Sequence, residues 1–256
     1  MAANNWLEGR HALITGGGTG IGAATATHLH AAGAKISVLG RRLEPLQRTA
    51  EIVSGAAIQC DVTDRSAIER AYEQARAANG PVSLLIVNAG IGDSAPFART
   101  TREQWDRIIA TNLTAAFDCA QAGLADLLAQ DDGRIIFVAS VAGLRGAAYA
   151  APYAASKHGV IGLMRSLAEE YAKSRTTVNA VCPSFVDTAM THETVARIAQ
   201  VTGRDEEQSR AAIEAMNRHG RLVHPDAVAT MIVTLCLPQS RDVNGAAIPI
   251  DGGTTA

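Results

Sequence analysis

The chain has 256 residues, of which 47% are hydrophobic and only 4% are aromatic. This length accommodates a single α/β domain, and an aliphatic core suits a sheet that helices cover on both faces. The formal net charge of −2, with scattered Lys and Arg residues, argues against nucleic acid or an anionic membrane as a partner. The composition therefore favours a small-molecule ligand.

The four cysteines lie far apart, and neither they nor the histidines show metal-ligand spacing. We therefore expect reduced, buried thiols and no metal site. No segment reaches the about 18 consecutive apolar residues of a membrane span. Together these features predict a cytoplasmic protein without a membrane partner.

Short apolar runs alternate with segments of helical period along the chain. Seven of these runs are predicted as strands: Ala12–Thr15, Ile36–Leu39, Ala56–Cys60, Leu84–Val87, Ile135–Val138, Val178–Val181 and Ala246–Ile250. Because parallel neighbours need a long connection, which a helix supplies, this alternation favours right-handed βαβ units. We predict one domain over residues 1–256. Its fold class is α/β, with a doubly wound, mostly parallel, seven-stranded Rossmann-type sheet and helices on both faces.

The interval Thr188–Gly220 departs from this alternation of strands and helices. A long polar, helix-prone sequence follows the sixth predicted strand there. Long excursions from the carboxyl end of a strand often cover a ligand in open α/β sheets. We predict a helical substrate lid over about residues 188–220. A surface insertion used in packing is the alternative.

A glycine-rich segment, Thr15–Gly22, lies between the first predicted strand and an Ala-rich helix. Glycine lets the backbone approach a pyrophosphate, and the N–H groups of the following helix offset the phosphate charge. The spacing Gly-x-x-x-Gly-x-Gly differs from the ordinary Gly-x-Gly-x-x-Gly fingerprint, and a glycine cluster alone can be a simple turn. Its place after the first strand favours a dinucleotide phosphate loop. The candidate contacts are Gly16, Gly18, Thr19, Gly20, Ile21 and Gly22.

The end of the second predicted strand indicates which dinucleotide binds. NAD enzymes normally place Asp or Glu there to bind the ribose hydroxyls, whereas this chain has Arg41 and Arg42. A guanidinium binds a 2′-phosphate through charge-assisted hydrogen bonds. The sequence thus favours NADP, with NAD still open; solvent-facing arginines at a helix start are the alternative.

Tyr153 and Lys157 are four residues apart at the start of a predicted amphipathic helix, so their side chains share one face. A free tyrosine titrates near pH ~10, and a nearby ammonium favours its phenolate. Lysine is therefore a suitable partner for a tyrosine that handles protons. Taken alone, such a pair more often marks an ordinary helix face.

Further motifs accompany this pair in a fixed order. Asn88-Ala89-Gly90 forms a turn after the fourth predicted strand, Asn112 lies in a helix, and Ser140 stands thirteen residues before Tyr153. With the glycine loop, these motifs resemble those of the short-chain dehydrogenase/reductase family, and the resemblance runs from Thr15 to Gly253.

The resemblance implies an NAD(P)-dependent oxidoreductase that interconverts a ketone and a secondary alcohol. It implies that Tyr153 is the general acid in reduction and the base in oxidation, and that Ser140 bonds the substrate oxygen. Lys157 would lower the pKa of the tyrosine and hold the nicotinamide ribose, while Asn112 would position a water that relays protons. Alternatively, Ser140 simply ends a strand and Asn112 caps or interrupts a helix.

The resemblance also implies cofactor contacts beyond the glycine loop and the arginines. These positions are Asp61, Val62, Asn88, Ala89, Gly90, Tyr153, Lys157, Pro183, Val186 and Thr188. Asp61 and Val62 would lie beside the adenine ring, although Asp61 could instead cap a turn. Ser184 replaces the usual Gly of the segment that holds the nicotinamide carboxamide, which puts the contact from Thr188 in question.

The resemblance permits several substrates, and the direction of the reaction stays open. A 3-oxoacyl or 3-hydroxyacyl thioester ranks first, followed by a cyclic ketone or alcohol, or a dihydrodiol. A non-catalytic dinucleotide-sensing protein is the alternative of another class, although such a protein need not keep the tyrosine, lysine and serine together. Apolar surface on the helices around Glu103–Gln130 and Pro152–Lys173 suggests association. The resemblance implies a homotetramer through these helices, with a dimer as the runner-up.

Overall fold

Seven parallel strands form one sheet in the computed structural model, which describes residues 5–256; residues 1–4 of the expected domain lie outside the described part. The strands are β1 (His11–Thr15), β2 (Lys35–Gly40), β3 (Ala56–Gln59), β4 (Leu84–Val87), β5 (Arg134–Val138), β6 (Thr177–Pro183) and β7 (Ala247–Ile250). Their order is β3-β2-β1-β4-β5-β6-β7, and every neighbouring pair is parallel. The predicted α/β fold is confirmed.

Nine α-helices connect or follow these strands within residues 5–256. They are α1 (Gly20–Ala31), α2 (Leu43–Ile52), α3 (Arg65–Asn79), α4 (Arg102–Ile109), α5 (Ala115–Leu128), α6 (Ala151–Glu170), α7 (Ala189–Thr202), α8 (Glu206–Glu214) and α9 (Pro225–Cys236). A short π-helical segment, Ala110–Thr114, joins α4 to α5. The predicted bounds of β4 are the observed ones, and those of the other six strands differ by one or two residues, which is the usual uncertainty at strand ends.

Helices cover both faces of the sheet. Successive residues of a strand point to opposite sides, so neighbouring residues belong to different apolar clusters. In β1, Leu13 belongs to the core cluster that contains residues of α3, α5 and α6. Its neighbours Ala12 and Ile14 belong to the other cluster, with residues of α1, α2 and α9. All five residues of β1 are buried, as expected for a strand covered on both faces.

The strand order reverses its direction between β1 and β4. The chain moves from β1 outward to β3, then returns to the other side of β1 and continues through β7. At such a switch point, the loops beyond the carboxyl ends of the two strands diverge and leave a crevice in which open α/β sheets bind ligands. The glycine loop follows β1 at this position.

Two helices, α7 and α8, occupy the interval between β6 and α9. They have a small apolar cluster of their own, in which Val195, Ile213 and Leu222 are buried and Phe185 packs at its edge. Within residues 5–256, no helix combines the length and the apolarity that crossing a membrane requires.

His11 is a buried polar residue at the start of β1, with 1% of its surface exposed. Its Nδ1 lies 2.7 Å from the carbonyl oxygen of Gly80, and its Nε2 lies 2.9 Å from the hydroxyl of Ser37. Because a carbonyl only accepts, Nδ1 carries the hydrogen and Nε2 accepts from the serine. Burial lowers the pKa of His11 below its ordinary value of 6.5, so the folded chain holds a neutral imidazole.

This buried imidazole predicts a loss of stability on mild acidification. Below pH 6.5 the unfolded chain binds a proton at His11 that the folded chain does not, so stability is present above 6.5 and lost as the pH falls toward the folded pKa. In that window, the free energy of unfolding should fall more steeply in the wild type than in His11→Gln, by at most about 1.4 kcal/mol per pH unit. Urea unfolding at several pH values measures both slopes, and parallel curves would contradict the assignment.

Candidate active site

The glycine loop lies against the end of β4, with no room for side chains at two of its positions. Gly16 has a φ of +66°, and a Cβ at Gly22 would lie 2.2 Å from the carbonyl oxygen of Gly16. Gly20 also has a positive φ, of +55°. These glycines let helix α1 begin directly against the loop, so that only backbone lines this part of the crevice.

The amino terminus of α1 faces the same crevice. Thr19 is its N-cap residue, has an extended backbone and makes no side-chain capping hydrogen bond. The first N–H groups of a helix have no partner within the helix, and the positive end of its dipole favours an anion. The predicted contacts Gly18, Thr19 and Ile21 therefore lie where a pyrophosphate group fits.

The predicted Asn-Ala-Gly turn is tied to the glycine loop through Asn88. Its side-chain amide donates to the carbonyls of Thr15, at 2.9 Å, and Gly16, at 3.1 Å. In return, the hydroxyl of Thr15 accepts from the backbone N–H groups of Asn88 and Ala89, each at 3.0 Å. The motif alone does not indicate a role for the Thr15 hydroxyl, which the structure shows joining the glycine loop to the turn after β4.

An open pocket of about 390 Å³ adjoins the carboxyl ends of β2 and β3, and its lining includes Arg41 and Asp61. The Asp61 carboxylate accepts from the N–H of Thr63 at 2.9 Å and from its hydroxyl at 2.8 Å. These bonds are the main cause of the lowered pKa of Asp61. Asp61 thus caps a turn, as the alternative expects, and also borders the pocket; its position beside an adenine ring stays a prediction.

Arg42 follows β2 and Val62 follows β3, and the two residues differ in exposure. Arg42 is exposed at the N-cap position of α2, where its side chain makes no capping hydrogen bond. Val62 is buried in the core cluster on the α3 side of the sheet, with 6% of its surface exposed. Arg41 and Arg42 thus leave two guanidinium groups near the end of β2, where a 2′-phosphate would need them.

Asn112 lies in the π-helical segment and points away from its own backbone. Its Oδ1 accepts from the N–H of Ile91 at 2.8 Å, and its Nδ2 donates to the carbonyl of Ile91 at 3.0 Å. The amide therefore fixes the loop after β4, which excludes the alternative that it only caps its own helix. π-Helical turns are rare and often mark functional sites.

Ser156 connects Asn112 to the helix that carries the tyrosine, and the sequence interpretation missed it. Its hydroxyl accepts from the Asn112 amide at 3.1 Å and donates to the backbone carbonyl of Tyr153 at 2.7 Å. Ser156 is completely buried. Its position between Tyr153 and Lys157 in the sequence was the only available signal.

Tyr153, Lys157 and Ser140 come together at the carboxyl edge of the sheet. Pro152 supports the start of α6, whose first turns place the ammonium of Lys157 5.7 Å from the centre of the Tyr153 ring. Burial raises the pKa of Tyr153, and a hydrogen bond with the Ser140 hydroxyl opposes the rise. Ser140 lies two residues beyond β5 and also accepts from the N–H of Ala142 at 3.1 Å, which caps the short helical turn Val141–Gly143.

Lys157 carries the buried cation of this group, with 5% of its surface exposed. Its ammonium donates to the carbonyl of Val138 at 2.8 Å. Desolvation lowers the pKa of Lys157 to about 8. A Cβ at Gly90 would lie 3.7 Å from this ammonium and 3.3 Å from Oδ1 of Asn112, so glycine keeps the crevice open beside both.

The segment after β6 reaches back to the glycine loop. A Cβ at Gly20 would lie 3.0 Å from Cγ2 of Thr188, which places these two predicted contacts side by side. Among the non-glycine residues of 5–256, only Ser54 and Tyr149 have a positive φ. Ser184 therefore has no positive φ in this structure, and the cofactor contact of Thr188 stays a prediction.

These residues fit a nicotinamide dinucleotide on the structure's own evidence. The glycine loop offers a side-chain-free cradle and a helix amino terminus for the pyrophosphate, and the pocket at Arg41 and Asp61 can hold an adenosine. The hydroxyl of Ser184, beside Pro183, is buried without a hydrogen-bond partner, so this end of the crevice has a polar group left to satisfy. Residues 5–256 contain no group of three or more His, Cys, Asp or Glu side chains placed to hold a metal ion.

Comparison with known proteins gives consistent relatives. A family model described as short chain dehydrogenase matches residues 10–199. The 3-oxoacyl-(acyl-carrier-protein) reductase MabA of Mycobacterium tuberculosis (strain ATCC 25618 / H37Rv) is 37% identical over 249 residues, which cover 95% of this chain and 92% of the relative. The corresponding reductase FabG of Escherichia coli (strain K12) is 34% identical over 249 residues, covering 96% and 98%.

Solved structures agree with these relatives. An actinorhodin polyketide ketoreductase variant with NADPH has a TM-score of 0.92 and 33% identity, and the match covers 96% of this chain and 97% of that one. Levodione reductase has a TM-score of 0.91 and 30% identity, with 98% and 99% covered. The chain therefore belongs to the short-chain dehydrogenase/reductase family and is an NAD(P)-dependent oxidoreductase.

Proposed function

We propose that the chain reduces the ketone of a 3-oxoacyl thioester to a secondary alcohol, with NADPH as the cofactor. The observation that carries this proposal is the half-buried Tyr153, one helical turn from the buried Lys157, whose ammonium lies 5.7 Å from the centre of the tyrosine ring. Two relatives that match nearly the whole chain are named as reductases of 3-oxoacyl groups on a carrier protein, which supports the substrate class.

Tyr153 acts as the general acid in this proposal. When bound, NADPH supplies the hydride that adds to the ketone carbon. Because burial raises the pKa of Tyr153, the phenol holds its proton at neutral pH and can donate it to the ketone oxygen. The Ser140 hydroxyl donates a hydrogen bond to the same oxygen as negative charge develops there. The product is the alcohol, and the tyrosine is left as a phenolate.

Lys157 and Asn112 support the proton transfer. The Lys157 ammonium favours the phenolate that forms, and it is available to hold the nicotinamide ribose. The side-chain amide of Asn112 already forms hydrogen bonds with Ile91 and Ser156. Its first effect is therefore to fix the loop after β4 and helix α6 relative to each other. Its oxygen keeps a second lone pair that can hold the proposed relay water.

NADP is the preferred cofactor in this proposal because of Arg41 and Arg42. Neither side chain forms an ion pair with a carboxylate among the residues of 5–256, so both guanidinium groups are available to a 2′-phosphate. The related actinorhodin ketoreductase was solved with NADPH, which supports the same choice.

Helices α7 and α8 are proposed to form the substrate lid, as expected for residues 188–220. Met190 at the start of α7 lies against the loop after β4, because a Cβ at Gly92 would be 3.3 Å from its sulfur. Asp93 of the same loop accepts from Arg107 of α4 at 2.6 Å and from Arg197 of α7. The Asp93 side chain is 12% exposed, so this double ion pair is less screened than a surface pair.

A cyclic ketone is the second candidate substrate. Levodione reductase covers nearly the same chain length with a similar structure, and its name indicates a diketone substrate. A panel that includes a cyclic diketone and a 3-oxoacyl thioester decides between the two classes.

The chain is further proposed to work as a homotetramer in the cytoplasm. Trp105 of α4, and Phe117 and Leu128 of α5, are apolar side chains with 37–44% of their surface exposed, which supports association through these helices. All four cysteines are buried free thiols, which supports a reducing compartment.

The reaction assignment predicts a strong effect of Tyr153→Phe. The wild type should oxidise NADPH when a 3-oxoacyl thioester is added, and the variant should lose at least about 100-fold in kcat, because the general acid is gone. NADPH affinity should stay within about twofold, since the ring remains. Absorbance of the reduced nicotinamide gives kcat, and fluorescence titration gives the affinity.

Tyr171→Phe is the matched control, because Tyr171 follows the far end of the same helix α6. It should behave as the wild type. Turnover by Tyr153→Phe at the wild-type rate would refute the mechanism, and a wild type inactive on every thioester would refute the substrate class.

The cofactor assignment predicts that Arg41→Ala weakens NADPH at least about tenfold and NADH less than about twofold. The reason is that the guanidinium binds the 2′-phosphate, which NADH lacks. Fluorescence titration with both cofactors measures the ratio, with Arg48→Ala of the neighbouring helix α2 as the control. Equal losses for the two cofactors would be incompatible with this role.

The lid assignment predicts that Asp93→Asn loosens α7. Without the carboxylate, Arg107 and Arg197 lose a shared partner, so KM for the thioester should rise severalfold and proteolysis within residues 188–220 should accelerate. Asp106→Asn removes an exposed i,i+4 pair with Arg102 and should change neither property. Identical digestion rates for the two variants would argue against a role of the Asp93 ion pairs in holding the lid.

The assembly assignment predicts that Phe117→Asp dissociates the tetramer, because a charge replaces an apolar side chain at the paired face. Light scattering after gel filtration gives the mass of each species. Ile52→Asp, at an apolar position on α2 that is even more exposed than Phe117, should leave the mass unchanged. A tetramer that survives Phe117→Asp would exclude this face, and a monomeric wild type would exclude the assembly.

A further inference from the structure

A link of two residues, Arg41 and Arg42, connects the end of β2 to the start of α2. The strand ends at Gly40, and the helix begins at Leu43. Both arginines are exposed. The backbone pairing of β2 with β3 ends just before them, with the N–H of Cys60 donating to the carbonyl of Gly40 at 2.8 Å. The strand ladder therefore stops one residue before the first arginine.

Gln59, the last residue of β3, extends this pairing with its side chain. Its Nε2 donates to the carbonyl of Arg41 at 2.8 Å, across 18 positions of the sequence. That carbonyl belongs to the planar peptide group between Arg41 and Arg42, so the bond fixes the orientation of the link that carries both guanidinium groups. Gln59 is exposed on an edge strand, where water could satisfy the same amide. The bond is therefore not imposed by burial of the amide.

Gln59 also borders the open pocket of about 390 Å³ at the ends of β2 and β3, together with Arg41 and Asp61. The lowered pKa of Asp61 has its hydrogen bonds from Thr63 as the main cause and the charge of Arg41 as a smaller one. Asp61 is therefore a nearby carboxylate that competes with a bound anion for Arg41. A fixed backbone at Arg41 limits how far its side chain can turn toward that carboxylate.

We infer that Gln59 is a positioning residue for cofactor selection, which fixes the backbone at Arg41 and thereby directs its guanidinium to the 2′-phosphate of NADP. The inference rests on the proposed phosphate-binding role of Arg41 and adds to it a residue from another strand. A neutral amide suits this role because it donates to the carbonyl without adding a negative charge. A glutamate at this position cannot donate, and its carboxylate would attract the Arg41 guanidinium and repel the phosphate.

The test compares NADPH and NADH in fluorescence titrations of the protein with no substrate present. Gln59→Leu removes the donor, so Kd for NADPH should rise about fivefold and Kd for NADH less than about twofold. Gln59→Glu should raise Kd for NADPH at least about 20-fold, again with less than about twofold for NADH. Gln47→Leu, at an exposed glutamine of α2, is the matched control and should change neither value.

A double-mutant cycle tests whether Gln59 acts through Arg41. In Arg41→Ala the guanidinium that Gln59 positions is gone, so adding Gln59→Leu should change Kd for NADPH less than about twofold. The Tm of Gln59→Leu without cofactor should stay within about 2 °C of the wild type, because Gln59 is exposed. A purely structural role would instead lower this Tm and weaken both cofactors alike.

The outcomes separate this inference from the proposed cofactor site. Equal losses for the two cofactors in Gln59→Leu, no loss for either, or an undiminished loss in the Arg41→Ala background would overturn the role of Gln59, while Arg41→Ala alone still separates NADPH from NADH. A Gln59→Glu variant that binds NADPH as the wild type does would overturn it as well. If Arg41→Ala itself weakens both cofactors equally, the proposed phosphate site fails, and this inference fails with it.

Discussion

A buried ammonium next to a half-buried tyrosine is the interaction on which the site depends. Lys157 is 5% exposed, and burial lowers its pKa to about 8, so its charge at neutral pH is kept against a desolvation cost. Tyr153 has the opposite tendency, because burial raises the pKa of the phenol. At neutral pH the pair thus combines a cation with a protonated acid, the state from which the tyrosine can donate a proton to a ketone.

The rest of the fold holds this pair beside a crevice whose glycine loop leaves no room for side chains. Parallel strands bring the loops after β1 and β4 to one edge, and Asn88 joins them by donating to Thr15 and Gly16. Asn112 then fixes the following turn, and Ser156 links it to the helix of the tyrosine. The sheet topology brings these loops to one edge, and the side-chain amides of Asn88 and Asn112 fix the distances between the catalytic groups there.

The sequence was sufficient for features that depend on local pattern, and insufficient for those that depend on distant contacts. Alternating apolar and helical segments predicted the parallel sheet, and the four-residue spacing of Tyr153 and Lys157 predicted that they share one helical face. The ion pair of Asp93 with Arg197 joins residues 104 positions apart, so no spacing rule predicts it. The carbonyl of Tyr149, whose φ is positive, accepts a hydrogen bond from Ala95 of another loop, and no local pattern predicts that contact.

The pH dependence of kcat/KM for NADPH at saturating ketone tests the charge of this pair most directly, because it reports groups of the free enzyme. The wild type should lose activity as the pH rises through about 8, where Lys157 gives up its proton. In Lys157→Arg the guanidinium stays charged throughout, so the alkaline limb of the residual activity should move to higher pH. Coincident limbs in the two proteins, or a wild-type profile without a limb near pH 8, would contradict the account.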